Sequence, residues 1–584
     1  MIRIGRRTSL SRATLGAAAL VLVLAANGCT IASPKAPPEG APTLRRMARA
    51  VGRDVMVHLQ RGYVAGRSPE ITLVPNPWNV VVRWSGRTLS EGRRDPRSTH
   101  PTPWAYHQRV PVLLYGPGYI RSGVVSDRPV DLTDLAPTFA DLLRMRFDDA
   151  DGASLHEALL PRGRRGGPPR VIVLVAYDGG GWNLLAQWPD AWRVQRRLGE
   201  RGTVFTNATI GSAPSVTAAI HANMGTGVYP RRHGLSENVG RLPDGTIDEI
   251  FFNRGDPTLL EAETLADAWD RGNGNRPWVG LLGYESWHLG MMGKGEQARG
   301  GDRDVAVLWE LKDERFWVNE EIYELPDSLP GREVLGRHLR ELDGRDGALD
   351  EVWMGRDLTD PNVVPGTSAF VKYQGDALRG LLDSEPVGRD QITDLLFVEL
   401  KPTDFGGHIW NMVAPEEEDV LRAQDELLGE LIDLLDERVG PDRYVLAVTA
   451  DHGQTPIPET RGGVRIDPDV VGLRVVEYFR RPIVERTSPS GIFLDMDAVA
   501  EAGIDLQDVA RYIATLRYRE VLPADADESL VPPELGERRV FAAVLPGPFI
   551  ASLTEGDLSS LGDGTFPEGN LTGPDHPYAG VLER

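Results

Sequence analysis

Arg170–Tyr177 reads RVIVLVAY and runs straight into Asp178-Gly179-Gly180-Gly181-Trp182. A continuous apolar, β-branched run of this kind is the pattern of a strand covered on both faces, as in a parallel sheet. An acid stands at its carboxyl end. Ligands of open α/β sheets gather outside that end of the strands, so Asp178 reads as a ligand-binding candidate as well as an ordinary turn former. Two later stretches repeat the design. Asp394–Leu400, DLLFVEL, leads into KPTDFGGHIW, where Asp404 and His408 stand four positions apart and Gly406 and Gly407 allow a tight loop. Tyr444–Ala450, YVLAVTA, leads into Asp451-His452-Gly453. Between them, Leu427, Leu428, Leu431, Ile432, Leu434 and Leu435 make Glu426–Val439 an amphipathic helix. The predicted fold is α/β, with a mostly parallel central sheet flanked by helices and carboxylate and imidazole groups collected at one sheet edge.

A fourth stretch, 209–238, reads TIGSAPSVTAAIHANMGTGVYPRRHGLSEN. Thr217 follows a small-residue turn and precedes a short apolar helical run. A hydroxyl there is either an N-cap or a group held where free backbone N–H groups and the helix dipole favour a phosphoryl oxygen.

The chain has 584 residues, enough for two to four domains on the usual size prior. Its 64 glycines and 44 prolines suit a loop-rich α/β architecture, and a net charge of −21 argues against nucleic-acid binding through a basic surface. Arg3, Arg6, Arg7 and Arg12 precede an apolar segment from about Leu15 to Ala26, too short for a membrane span and right for a signal peptide. Arg6-Arg7 also fits a twin-arginine export signal. Cys29 is the only cysteine, so no intramolecular disulfide forms. A Pro-rich stretch to Pro42 follows it as a stalk.

These motifs carry a resemblance. Thr217, with Thr226-Gly227-Val228-Tyr229-Pro230, His233-Gly234 and Asn238, resembles the nucleophile block of the alkaline phosphatase superfamily, particularly its type I phosphodiesterase and nucleotide pyrophosphatase branch. The resemblance implies that Thr217 attacks phosphorus and forms a phosphothreonine, and that Asn238 and the backbone N–H groups after Thr217 stabilise the non-bridging oxygens. It implies two divalent metal ions, for which carboxylates and imidazoles without cysteine suit zinc. One ion falls to Asp404, His408 and His100, the other to Asp178, Asp451, His452 and the Thr217 oxygen. His576, in GPDHPYAG, is the rival to His100. Ala26-Asn27-Gly28-Cys29 resembles a lipobox, which implies a bacterial envelope protein anchored to the membrane by a lipid on Cys29.

GRSPEITLVPNPW, STHPTPWAYHQRVPVLLYGPG, DLTDLAPTFADLL and DGASL look like the segments that close a phosphatase of this superfamily, yet here they come first. The expected reading is a circular permutation joined through PRGRRGGPPR. The boundaries are then signal peptide 1–28, stalk 29–43, permuted segment 44–160, linker 161–169, core with nucleophile 170–238, cap insertion 239–390, core 391–553 and tail 554–584. Phosphomonoesterases of the branch carry Lys-x-Arg in the cap, whereas this chain has Tyr284-Glu285-Ser286, with Lys294 nearby. That favours a phosphodiester or nucleotide pyrophosphate over a phosphomonoester as the small-molecule substrate. A sulfatase is disfavoured because Cys-x-Pro-x-Arg is missing. The alternatives are an alkaline phosphomonoesterase, a transferase to an alcohol, or a surface lipoprotein that binds without catalysis.

Overall fold

The computed structural model describes residues 36–83, 98–251, 255–295, 303–523, 526, 531–572 and 581. The signal peptide, Cys29 and His576 lie outside them.

The three apolar runs form strands buried along their whole length. They belong to a ten-stranded sheet made of β1 Arg109–Tyr115, β2 Val124–Ser126, β3 Val130–Asp131, β4 Val171–Tyr177, β5 Thr203–Thr209, β6 Val279–Leu282, β7 Val305–Glu310, β8 Arg315–Trp317, β9 Asp394–Leu400 and β10 Tyr444–Ala450. The order is β8-β7-β6-β9-β4-β10-β1-β5-β2, with β3 also on β5. All neighbours are parallel except β8 on β7 and β1 on both β10 and β5.

Side chains alternate between faces along a strand, and the core divides accordingly. Val171, Val173, Val175, Leu396, Val398, Leu446 and Val448 enter one apolar layer. Helices on that face include Arg193–Arg201, Ser368–Ser384 and Pro415–Arg438. Ile172, Leu174, Ala176, Leu395, Phe397, Val445 and Ala447 enter the other, with helices Leu135–Leu143, Thr217–Thr226 and Leu265–Asn273. Burial on both faces is why these strands are apolar throughout and not alternating.

Register places the chemistry. Leu400 and Ala450 both pair with Tyr177, so Lys401, Asp451 and Asp178 leave the sheet at one level. The antiparallel β1 brings its start to the same edge, because Val112 pairs with Thr449 and Arg109 with Thr209. That delivers the His100 loop to the carboxyl ends of β4 and β10.

A second, antiparallel sheet has the order Val484–Thr487, Gly491–Leu494, Ile71–Pro75, Phe541–Pro546. Helices Leu44–Val51, Arg53–Gly62, Pro468–Phe479 and Leu506–Ile513 share its apolar core. The segment at the start of the chain is thus interleaved with residues from its end.

Three local expectations change. Residues 239–390 do more than cover the site, since β6 to β8 extend the central sheet beyond β9. Each is too short to show a periodic pattern in the sequence. The stretch holding Asp404 and His408 is not a loop but the helix Pro402–Ile409, begun by Pro402 at its first turn. Its glycines serve close packing: a Cβ on Gly406 would strike the Glu417 carboxylate, and one on Gly407 the Gln454 amide. The leucine-rich helix starts earlier than expected, at Pro415.

Candidate metal centre

At the shared strand ends, His452 Nε2 is 3.2 Å from Asp178 Oδ1, 3.4 Å from Asp451 Oδ2 and 4.0 Å from Asp404 Oδ1. Asp404 Oδ1 is also 3.4 Å from His100 Nε2 and 3.3 Å from His408 Nε2. The helical spacing of four residues puts Asp404 and His408 on one face, one turn apart. Asp178, Asp451 and His452 are fully buried, whereas the His408 side chain is 31% exposed and marks where solvent reaches the site.

The imidazoles are pre-set. His100 Nδ1 lies 2.8 Å from the Ser215 carbonyl, His408 Nδ1 2.8 Å from that of Ser98 and His452 Nδ1 3.0 Å from that of Gly453. A carbonyl only accepts, so each Nδ1 carries the proton and donates, and each Nε2 keeps its lone pair for the cluster. In two groups, His100, Asp404 and His452, and Asp178, Asp451 and His452, the ligand atoms lie within 4.8 Å of one another. Asp178 Oδ1, Asp451 Oδ2 and His452 Nε2 are buried with no hydrogen-bond partner. Buried polar atoms are normally paired, so three converging orphans of carboxylate and imidazole type fit a divalent cation. His100, expected with Asp404 and His408, lies beside both Asp404 and His452.

Thr217 is the first residue of the helix Thr217–Thr226, with Val216 as N-cap, so its hydroxyl is not the cap. Its neighbours tie it to the cluster: Ser215 through the carbonyl bonded to His100, and His221 through a ring Nδ1 lying 2.8 Å from the Thr217 carbonyl and 3.8 Å from Asp451 Oδ2. Asn238 Oδ1 accepts the Ala218 N–H at 3.0 Å. That N–H is therefore spent.

Four further charged or titratable groups were not singled out from the sequence. Lys401 Nζ is 2.7 Å from both Asp178 Oδ2 and Asp404 Oδ2. His288 Nε2 stands 3.6 Å from Asp178 Oδ2, and its Nδ1 is 3.4 Å from Glu399 Oε2. Glu399 and Lys401 flank the end of β9, where an acid and a base beside an apolar run were the available signal; His288 and His221 carried none. Burial, the largest single influence, pushes the Asp178 carboxyl up, but Lys401, His288 and His452 together hold it well below the usual range. Burial and then Asp178 push Asp451 up to about 8. Glu285, whose backbone N–H donates to His288 Nδ1, has its carboxyl raised to about 7, by burial above all.

A sequence profile of type I phosphodiesterase / nucleotide pyrophosphatase matches residues 172–517, more than half of the chain. The chain belongs to the type I phosphodiesterase/nucleotide pyrophosphatase family. Alkaline phosphatase PhoD of Zymomonas mobilis subsp. mobilis is 25% identical over 367 residues, which cover 55% of this chain and 62% of that protein. Alkaline phosphatase PafA of Elizabethkingia meningoseptica is 26% identical over 411 residues, 60% of this chain and 74% of the other. The chain thus spans somewhat under two thirds of the first relative's length and about three quarters of the second's. A crystal structure of wild-type alkaline phosphatase PafA superposes with a TM-score of 0.51 at 18% identity, over 66% of this chain and 85% of that one. At such identity the likeness establishes the fold. Membership of this type I phosphodiesterase/nucleotide pyrophosphatase family, one of phosphoric ester hydrolases, gives the buried His and Asp cluster its chemical context.

Proposed function

We propose that the protein hydrolyses phosphodiesters or nucleotide pyrophosphates through a phosphothreonine on Thr217. The observation that carries this reading is the position of Thr217, at the start of a buried helix whose flanking residues Ser215 and His221 both touch the imidazole and carboxylate cluster.

His100, Asp404 and His408, which meet at Asp404 Oδ1, would hold one divalent ion and Asp178, Asp451 and His452 another, zinc by the chemistry of the donors. Bound there, the pair would supply Lewis-acid stabilisation of the attacking and leaving oxygens. The Thr217 hydroxyl, its proton lost to solvent, attacks phosphorus. A P–Oγ bond forms as the bond to the leaving oxygen breaks, and that oxygen takes up a proton from solvent and departs, as an alcohol from a diester or as a phosphate from a pyrophosphate. Water then attacks the same phosphorus, the P–Oγ bond breaks, and threonine regains its proton. Asn238 Nδ2 donates to a non-bridging oxygen while charge builds on it. Glu285 supports the diester preference: a half-buried acid stands where monoesterases of the branch carry two cations, so that position offers no positive charge to a substrate with one more negative charge.

Metal content and turnover of bis-p-nitrophenyl phosphate against p-nitrophenyl phosphate test the reading, on the wild type and Thr217→Ala. Two zinc ions and diester cleavage abolished by Thr217→Ala support it; a monoester preference moves the assignment to an alkaline phosphomonoesterase, both relatives being named alkaline phosphatases. No metal and no cleavage of either ester would overturn it in favour of a non-catalytic lipoprotein.

The chain order is read as a circular permutation, supported by Ile71–Pro75 pairing between Gly491–Leu494 and Phe541–Pro546. Rejoining the chain as residues 170–572 followed by 44–160 should give the same fold by circular dichroism and the same metal content. Export to the envelope and lipidation at Cys29 rest on the sequence at 1–29. Among the described residues no helix is long and apolar enough to cross a membrane.

A further inference from the structure

Lys401 is the first residue after β9, and its side chain is 5% exposed. Its ammonium lies 2.7 Å from Asp178 Oδ2 and 2.7 Å from Asp404 Oδ2. On both carboxylates the other oxygen faces imidazole: Asp178 Oδ1 is 3.2 Å from His452 Nε2, and Asp404 Oδ1 is 3.4 Å from His100 Nε2 and 3.3 Å from His408 Nε2. Each carboxylate therefore turns one oxygen into a candidate ion group and gives the other to the same ammonium.

The two acids belong to different ion groups and follow different strands. Asp404 is three residues past Lys401, one turn into the helix that Pro402 begins. Asp178 is 223 residues away in sequence and reaches Lys401 because Leu400 pairs with Tyr177. The same turn also fixes the Asp178 backbone, through Thr403 Oγ1 donating to its carbonyl. A compact ammonium with three donors can serve two carboxylates at once.

His288 braces the arrangement from the other side. Its Nδ1 accepts the backbone N–H groups of Tyr284 and Glu285, both at 3.0 Å, so its Nε2 carries the proton and faces Asp178 Oδ2 as a donor. Asp178, His288 and Glu399 lie close enough together to be considered as a third ion group, but the protonated Nε2 turns an N–H and not a lone pair toward Asp178. Lys401 is also no free phosphate binder, since it is buried and engaged on both sides.

We infer that Lys401 is a positioning residue that locks the Asp178 and Asp404 carboxylates in one register, so that the affinities of the two ion sites rise and fall together. The inference rests on the metal-dependent reading above. Outer partners of metal ligands typically account for about 10–100-fold in affinity, and here one side chain serves both sites.

The test is a calorimetric zinc titration of metal-stripped wild type, Lys401→Met and Lys401→Arg, with folding checked by circular dichroism and metal content by elemental analysis. Lys401→Met is expected to bind both ions about 10–100-fold more weakly, with Lys401→Arg recovering part of the loss at both sites. Wild-type or tighter binding in Lys401→Met overturns the inference, the latter because the ammonium would then only compete with the ions. Weakening at a single site overturns it too. If Lys401→Met does not fold, Lys401→Arg decides: a matched change in both affinities supports the inference, and unchanged affinities end it. A wild type that binds no zinc removes the metal-dependent reading and this inference with it, an outcome distinct from a two-zinc wild type whose variants are unaffected.

Discussion

His100 and His452 stack face to face, with ring centroids 3.5 Å apart and planes inclined by 15°, although 352 positions separate them. Both donate Nδ1–H to a backbone carbonyl and turn Nε2 toward Asp404 Oδ1. The stack joins the two ion groups, so neither ring is replaceable by a group of similar size without a nitrogen in that position.

His100→Ala is therefore expected to retain one of two zinc ions and to lose at least the about 10–100-fold in activity that altering a ligand's outer partner alone costs. Elemental analysis and kinetics check this, with His576→Ala in parallel. Loss of an ion in His576→Ala but not in His100→Ala would assign the ligand to the tail instead.

Asn238→Ala should lower kcat by about 10²–10³-fold, the usual effect of removing one donor to a developing oxyanion. Ala218 N–H loses its partner in that variant and can take over part of the role, so the lower end is expected. Zinc content should stay at the wild-type level, because Asn238 belongs to neither ion group.

Glu237, beside Asn238, is buried and accepts from Ser490 Oγ. Burial pushes its carboxyl from the ordinary 4.5 up to about 7. The folded state thus holds this proton more tightly than the unfolded one. The stability it brings is complete below pH 4.5 and is lost as the pH rises through about 7, a total of about 3 kcal/mol. Glu237→Gln, which does not titrate, should therefore gain melting temperature over the wild type at pH 8 and little at pH 4.5. Parallel wild-type and variant melting curves across that range would remove the assignment.

Cys29→Ala should abolish incorporation of labelled palmitate and release the protein from the membrane fraction into the soluble envelope fraction. A wild type that is unlabelled, with its N-terminus processed elsewhere, would leave a plain signal peptide as the reading of residues 1–28.

The sequence by itself determined the strands and the acids that end them. RVIVLVAY, DLLFVEL and YVLAVTA read as strands because burial on both faces demands apolar residues at every position, a rule that acts locally and leaves a local trace. It also determined Thr217 and its motif, whose residues are near one another in the chain. Tertiary structure alone decided what converges. Tyr177 aligned with both Leu400 and Ala450 is a register, set by the packing of the whole sheet, and that register makes Lys401 a partner of Asp178. The antiparallel pairing of β1 brings His100 onto His452, and the placement of residues 284–288 turns His288 toward Asp178. The helix around Asp404 escaped because Gly406 and Gly407 read as loop formers, while their actual task is to leave room for Glu417 and Gln454. Periodicity and composition report what each segment must bury; which segments meet depends on contacts between residues hundreds of positions apart, and no single stretch contains them.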